Sequence, residues 1–324
     1  MRVLVTGANG FIGAALTRRL LADGVSVRAM CRTVSRGEAL RQQGAEVVQG
    51  DLQLIDSLRR CVDGCEVVYH VGAALEGGAA YQYNTSVLGT LNLLQAAHEA
   101  GVQRFVHVSS IAVYGNECFG SVCEDQPRRP SRHDYYQQAK SIAEDVLWEF
   151  AAQHDMAVTC LRPGMVYGPE SGFWTRQMFA AFSRYPVPII GDGGGHAHPI
   201  YVDDVVDLTV TLGHHPSAVG LAFNCAPDPA PTWVEFVGYY AAMAGNTRTM
   251  PVSPAWLRGA AAVITPLSTM RGEPFDLGGF VNFLTGRITY SMERAKTRLG
   301  WQARVPLAEG MAQAERWLRQ RGLL

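Results

Sequence analysis

A glycine-rich turn, Thr6-Gly7-Ala8-Asn9-Gly10-Phe11-Ile12-Gly13, joins the first apolar run, Val3–Thr6, to the first helical pattern, Phe11–Ala22. A strand that passes straight into a helix cannot pair with its neighbour as a hairpin, so the chain is committed to parallel β–α units. The pattern then repeats. Val25–Met30, a polar helix around Glu38–Gln43, Ala45–Val48, Glu66–His70 and a helix through about Ala100 follow in turn. Arg104–Ser109, a helix from about Tyr136 to His154, and Ala157–Leu161 complete the series.

This alternation predicts an α/β fold: a doubly wound parallel sheet of the Rossmann type, which takes ligands at the carboxyl ends of its strands. After Pro163 the texture changes. Segments 164–195, 227–233 and 251–279 are rich in glycine, proline and aromatic residues, and they predict a smaller, discontinuous C-terminal substrate-binding part. Ile200–Gly213 and Leu221–Cys225 read as a helix and strand that return to the sheet. The expected division is 1–165 plus about 199–225 for the dinucleotide-binding domain, and about 166–198 plus 226–324 for the substrate-binding domain. Amphipathic helices are expected at Met292–Leu299 and Leu307–Arg319.

Composition excludes several classes. Hydrophobic residues are 48% and charged residues 18%, enough apolar side chain for a core and too little charge for a disordered chain. With 28 basic and 29 acidic residues, a net charge of −1 and no block of one sign, nothing points to a nucleic-acid partner. The longest weakly charged stretch, Trp256–Met270, contains Arg258, Gly259 and Pro266 and is short of the about 20 apolar residues that span a bilayer, so no membrane span is expected. The opening run ends at Gly7, too soon for a signal peptide. The seven cysteines include no C-x-x-C pair, and Cys61/Cys65 and Cys118/Cys123 lack a second half for a zinc site. Reduced thiols in a cytoplasmic, metal-free protein are expected.

Several motifs carry chemistry. Gly7 suits the tight turn, Gly10 lets backbone approach a pyrophosphate, and Gly13 lets the helix pack close to the sheet. The helix N-terminus offers free N–H groups to phosphate. In Gly50-Asp51-Leu52, the carboxylate either contacts an adenine amine or caps the next helix. The second strand ends in Cys31-Arg32-Thr33, where an NAD-binding fold usually has an acidic residue. Arg32 there pairs with a 2′-phosphate or is simply solvated, which favours NADP(H) over NAD(H).

Tyr136 and Lys140 are one helical turn apart on one face. Bringing a phenol from pKa about 10 to near neutrality takes roughly 4 kcal/mol, and a neighbouring ammonium is the simplest source. Tyr136 then exchanges a proton with a substrate oxygen while hydride moves to or from a nicotinamide. Ser110, at the end of the fifth strand, is placed to hydrogen-bond that oxygen.

Together these segments resemble the extended short-chain dehydrogenase/reductase family over nearly the whole chain. Thr6–Gly13 is similar to its Thr-Gly-x-x-Gly-x-x-Gly motif, which implies that Gly7, Asn9, Gly10, Phe11, Ile12 and Gly13 line the cofactor. Asp51 and Leu52 then lie at the adenine, and Val71, Gly72 and Ala73 along the cofactor. Pro163 and Val166 lie beside the nicotinamide. Ser110, Tyr136 and Lys140 match the catalytic set, with Tyr136 and Lys140 also touching cofactor. Tyr201-Val202-Asp203-Asp204 resembles a recurring segment taken as structural.

Two departures stand out. Ser86 replaces an asparagine that often supports a proton relay, so Asn84 or a water takes its place. Ala197 stands where nucleotide-sugar enzymes commonly carry an arginine that grips the diphosphate. The apolar face of Trp256, Leu257, Ala260, Ala261, Ile264 and Leu267 either lines a pocket for a hydrophobic substrate or is ordinary core or a dimer contact; with Ala197, the first reading directs the expectation to the 3β-hydroxysteroid dehydrogenase/dihydroflavonol reductase branch. The expected function is an NAD(P)-dependent oxidoreductase that interconverts a secondary alcohol and a ketone on a fairly apolar steroid-, terpenoid- or flavonoid-like substrate. The alternative is a nucleotide-sugar epimerase/dehydratase with tightly bound NAD, and a third reading is a non-catalytic dinucleotide sensor. A homodimer through the helices near Leu88–Ala100 and Tyr136–His154 is implied by the resemblance.

Overall fold

The computed structural model describes residues 1–271 and 275–324. Seven parallel strands form the main sheet: β1 (Arg2–Thr6), β2 (Ser26–Cys31), β3 (Glu46–Gln49), β4 (Val67–His70), β5 (Arg104–Val108), β6 (Val158–Pro163) and β7 (Ala222–Cys225). Their spatial order is β7-β6-β5-β4-β1-β2-β3. The order reverses at β1, which pairs with both β2 and β4, and a crevice opens at the strand ends on either side of such a switch.

Alternate residues of each strand face opposite layers. Val3, Val5, Tyr69, Val106 and Leu161 pack under Leu16 and Leu20 of the helix Phe11–Ala22 and Val205, Leu208 and Leu212 of the helix Val202–His214. Leu4, Met30, Val68, Phe105 and Cys160 pack under Leu58, Leu93, Leu94 and Leu147, from the helices Ile55–Val62, Gly89–Glu99 and Tyr135–His154. A sheet covered on both faces needs apolar residues at both parities, which explains the continuous runs in the sequence.

The remaining chain carries three two-stranded parallel pairs: Pro199–Tyr201 with Met165–Tyr167, Thr249–Val252 with Val187–Ile190, and Thr289–Tyr290 with Ser121–Val122. The expected helix at Ile200 therefore starts two residues later, because Ile200 and Tyr201 pair with Val166 and Tyr167 as strand. Asp204 accepts backbone N–H bonds from Arg304 (2.8 Å) and Val305 (3.2 Å) and ties the segment before the last helix to the helix Val202–His214. That is the structural part expected of this segment. Among the described residues, no helix is long and apolar enough to cross a membrane.

Candidate active site

The glycine turn sits at the switch point. Gly7 has φ +63°, which favours glycine, and a Cβ there would lie 2.8 Å from Gly72 Cα at the end of β4. A Cβ on Gly13 would lie 2.2 Å from the Gly7 carbonyl oxygen. Thr6 Oγ1 accepts from the Gly72 N–H at 3.0 Å and stitches the two loops together. The helix begins at Phe11 with Gly10 as its N-cap. No side chain caps it and no carboxylate stands in its first turn. Its N–H groups are thus open to an anion, and the cradle fits a dinucleotide pyrophosphate. Asn9 and Gly10 are exposed here, with Phe11 and Ile12 half-buried.

Asp51 does not cap the next helix, whose N-cap is Leu54 with no side-chain bond. Its carboxylate accepts from the Gln53 N–H at 3.0 Å, a local turn bond, while the residue stays half-exposed and Leu52 is buried. Val71, Gly72 and Ala73 are half-exposed along the crevice. Pro163 closes β6, and Val166 is buried in its strand pair with Ile200. Arg32 is exposed and donates to the Tyr81 hydroxyl at 3.1 Å.

Ser110, Tyr136 and Lys140 converge on the same strand ends. Ser110 follows β5, and its Oγ accepts from the Ala112 N–H at 3.1 Å as the cap of a short helical turn. Tyr136 lies in the first turn of the helix Tyr135–His154, which Asp134 caps by accepting from the Gln137 N–H at 3.0 Å. The Ser110 hydroxyl beside the Tyr136 phenol favours its phenolate. Burial outweighs that effect, so the phenol's pKa is raised.

Lys140 is buried and donates to the Val108 carbonyl at 2.7 Å. Burial lowers it to about 8, with Cys160 and Glu144 acting the other way. The expectation that Lys140 acidifies the phenol is therefore not met by the protein alone: the ammonium is directed to β5, and burial governs Tyr136.

Sequence reasoning missed the polar layer beneath these residues. Glu144, one turn after Lys140, is fully buried and pairs with Arg162 at 2.6 Å. Arg162 also donates to the Tyr114 hydroxyl (2.7 Å), which donates to Asn224 Oδ1 (2.7 Å). This locks the Leu161-Arg162-Pro163 segment to Tyr114-Gly115 and to the helix. The i+4 continuation of Tyr136 and Lys140 to Glu144 was the available signal. His70 and His107 are also buried, at 1% and 2% exposure. Ser86 Oγ accepts from the Ala74 N–H at 3.2 Å, and Asn84 is exposed.

The family described as "NAD dependent epimerase/dehydratase family" matches residues 3–226. UDP-glucose 4-epimerase of Mycolicibacterium smegmatis is 31% identical, over 99% of this chain and 99% of its own. A plant relative, the 3beta-hydroxysteroid-dehydrogenase/decarboxylase isoform 1 of Arabidopsis thaliana, is 27% identical over 95% of this chain and 77% of its own. Among solved structures, MoeE5 in complex with UDP-glucose and NAD is 28% identical, with a TM-score of 0.78 over 99% of each chain.

Two expectations are corrected. The preference for NADP(H) is overturned by the NAD held in the MoeE5 structure. The apolar steroid-, terpenoid- or flavonoid-like substrate is overturned by the full-length likeness to the UDP-glucose enzymes. The helix Pro254–Met270, expected to line an apolar pocket, has no buried residue, and Trp256 is 70% exposed. The inference from Ala197, which is wholly buried, falls with it. The glycine cradle, the strand-end tyrosine and these likenesses agree: the chain belongs to the NAD-dependent epimerase/dehydratase family and is an enzyme of the extended short-chain type.

Proposed function

We propose that this chain is an NAD-dependent nucleotide-sugar epimerase that oxidises and then re-reduces one hydroxyl-bearing carbon of the sugar. The observation that carries the reading is the meeting of Ser110, Tyr136 and Lys140 with the open helix N-terminus at one sheet edge. The likeness to UDP-glucose 4-epimerase and to the UDP-glucose complex of MoeE5 supports the substrate class.

Gly7, Asn9, Gly10, Phe11, Ile12 and Gly13 hold the pyrophosphate. Asp51 and Leu52 flank the adenine, and Val71, Gly72 and Ala73 follow the crevice. Lys140 would hold the nicotinamide ribose, and Pro163 and Val166 would line the nicotinamide. Bound NAD supplies a hydride acceptor that is regenerated when the hydride is given back. Ser110 orients the sugar oxygen. Tyr136 takes its proton as the carbon is oxidised and returns it as the ketone is reduced, so no proton or electron is consumed overall. Exposed Leu88, Leu91 and Ile142 on the helices 89–99 and 135–154 and the turn before them support a homodimer through that face.

The test is interconversion of UDP-glucose and UDP-galactose by the purified protein, with its cofactor identified after acid release. Turnover with released NAD supports the reading. Failure to convert any nucleotide sugar while NAD is present refutes it.

A further inference from the structure

One polar row crosses the central sheet on the face that Lys140 approaches. Thr6, His70, His107 and Cys160 are successive register partners on β1, β4, β5 and β6. A row of polar side chains in a buried sheet is costly unless each finds a partner.

Thr6 and His70 do. Thr90 donates its hydroxyl to the Ser86 carbonyl at 2.6 Å, so it must accept from His70 Nε2 at 3.0 Å. His70 therefore carries its proton on Nε2 and leaves Nδ1 to accept from Thr6 Oγ1 at 2.8 Å. Burial, with Glu144 nearby, keeps the Cys160 thiol protonated. His107 alone is left over: both ring nitrogens are buried and unpartnered, although the ring is 98% buried and packs 5.3 Å from the His70 ring. On the other side of the same compartment, Lys140 has three N–H donors and gives one to Val108. That bond, to the residue after His107, brings the ammonium to the His107 end of β5, where its charge opposes protonation of both His70 and His107. His70 has no acceptor to spare, and His107 has one.

We propose that His107 is a positioning residue for Lys140, accepting a hydrogen bond from its ammonium through one buried water, and so keeping the lysine charged and aimed at the dinucleotide. This rests on the function proposed above only for the identity of what Lys140 holds. The groups facing the lysine are His70 from β4, His107 from β5, Cys160 from β6, and Glu144 and Tyr136 from its own helix. Burial places the lysine at about 8, so its charge is lost as pH rises through that value. Removing an acceptor from a buried cation moves that loss to lower pH.

The experiment is an NAD titration of wild type, His107→Phe and His107→Gln from pH 6 to pH 10. NAD affinity should fall at alkaline pH, with the midpoint about one pH unit lower in His107→Phe and restored toward wild type in His107→Gln. Equal midpoints in all three proteins would overturn the proposal, since a space-filling histidine alters affinity without moving the midpoint. Should His107→Phe not fold, or NAD not bind, nitrogen NMR of labelled histidine in wild type and Lys140→Met decides. The His107 ring signals move when the lysine is removed, and unchanged signals refute the link. A shifted midpoint in a protein that converts no nucleotide sugar would sink the function and leave this assignment standing.

Discussion

Glu144 and Arg162 form a buried ion pair directly behind the proposed proton donor, and its loss has a magnitude that can be worked out. The carboxylate takes three guanidinium contacts, at 3.0, 3.2 and 2.6 Å, and the two side chains are 0% and 5% exposed. Burial opposes the guanidinium charge, but Glu144 outweighs it and holds Arg162 above its ordinary value. Glu144→Gln strands that charge. Breaking a buried pair from one side costs about 3–5 kcal/mol. Arg162 keeps the Tyr114 hydroxyl and the Glu124 carbonyl, which places the cost near the lower end. With a urea dependence of about 3 kcal/mol per molar, the unfolding midpoint should fall by about 1 M. The double variant Glu144→Leu with Arg162→Met removes both charges and should recover to within about 1–2 kcal/mol of wild type. Arg128, 3.7 Å from Glu144, still has Asp145 as a partner, so it adds little to the cycle. A midpoint for Glu144→Gln within about 0.2 M of wild type, or a double variant as unstable as the sum of the singles, would refute the reasoning.

Three further outcomes are expected. Burial lowers His70 to about 3 and His198 to about 4, and pushes His107 well below its ordinary value. These histidines are neutral when folded and protonate from about 6.5 when unfolded, so stability is full above that pH and falls as pH drops toward 3. Urea midpoints between pH 7 and pH 4 should show it, and a flat profile would contradict it. Gly7→Ala places a Cβ 2.8 Å from Gly72 Cα at φ +63°, and should weaken NAD by at least about tenfold and cost about 1–2 kcal/mol of stability, read by calorimetry and urea unfolding. Arg32→Ala should change NAD affinity less than about threefold, because Arg32 is exposed and bonded to Tyr81; a loss above about tenfold would reinstate a cofactor contact.

The sheet was legible because each strand is a short apolar run followed by a helix, a pattern that only parallel pairing explains. Its boundaries fell within a residue or two of Arg2–Thr6, Ser26–Cys31 and Val67–His70. The smaller part was less legible. Its strands are two to four residues long, and Thr289–Tyr290 or Val187–Ile190 are held by partners more than 60 residues away, which no local period reveals. Ser110, Tyr136 and Lys140 stood out through spacing and position. Their electrostatics did not, because spacing shows that Lys140 shares a face with Tyr136 but not that Val108 takes its proton donor. The cofactor and substrate expectations erred by letting single positions decide: the charge of Arg32 and the missing charge at Ala197. Arg32 is exposed and bonded to Tyr81, and Ala197 is buried. The apolar residues of Pro254–Met270 were likewise placed inward by composition, yet none of that helix is buried.

The central claim is that the phenol of residue 136 passes the proton while a nucleotide sugar is oxidised and reduced. Tyr136→Phe, assayed on UDP-glucose at neutral pH beside an NAD titration, tests it most directly. Turnover should fall by about 10²–10⁴-fold with NAD affinity held within about threefold. Turnover equal to wild type, with NAD bound normally, would contradict the account.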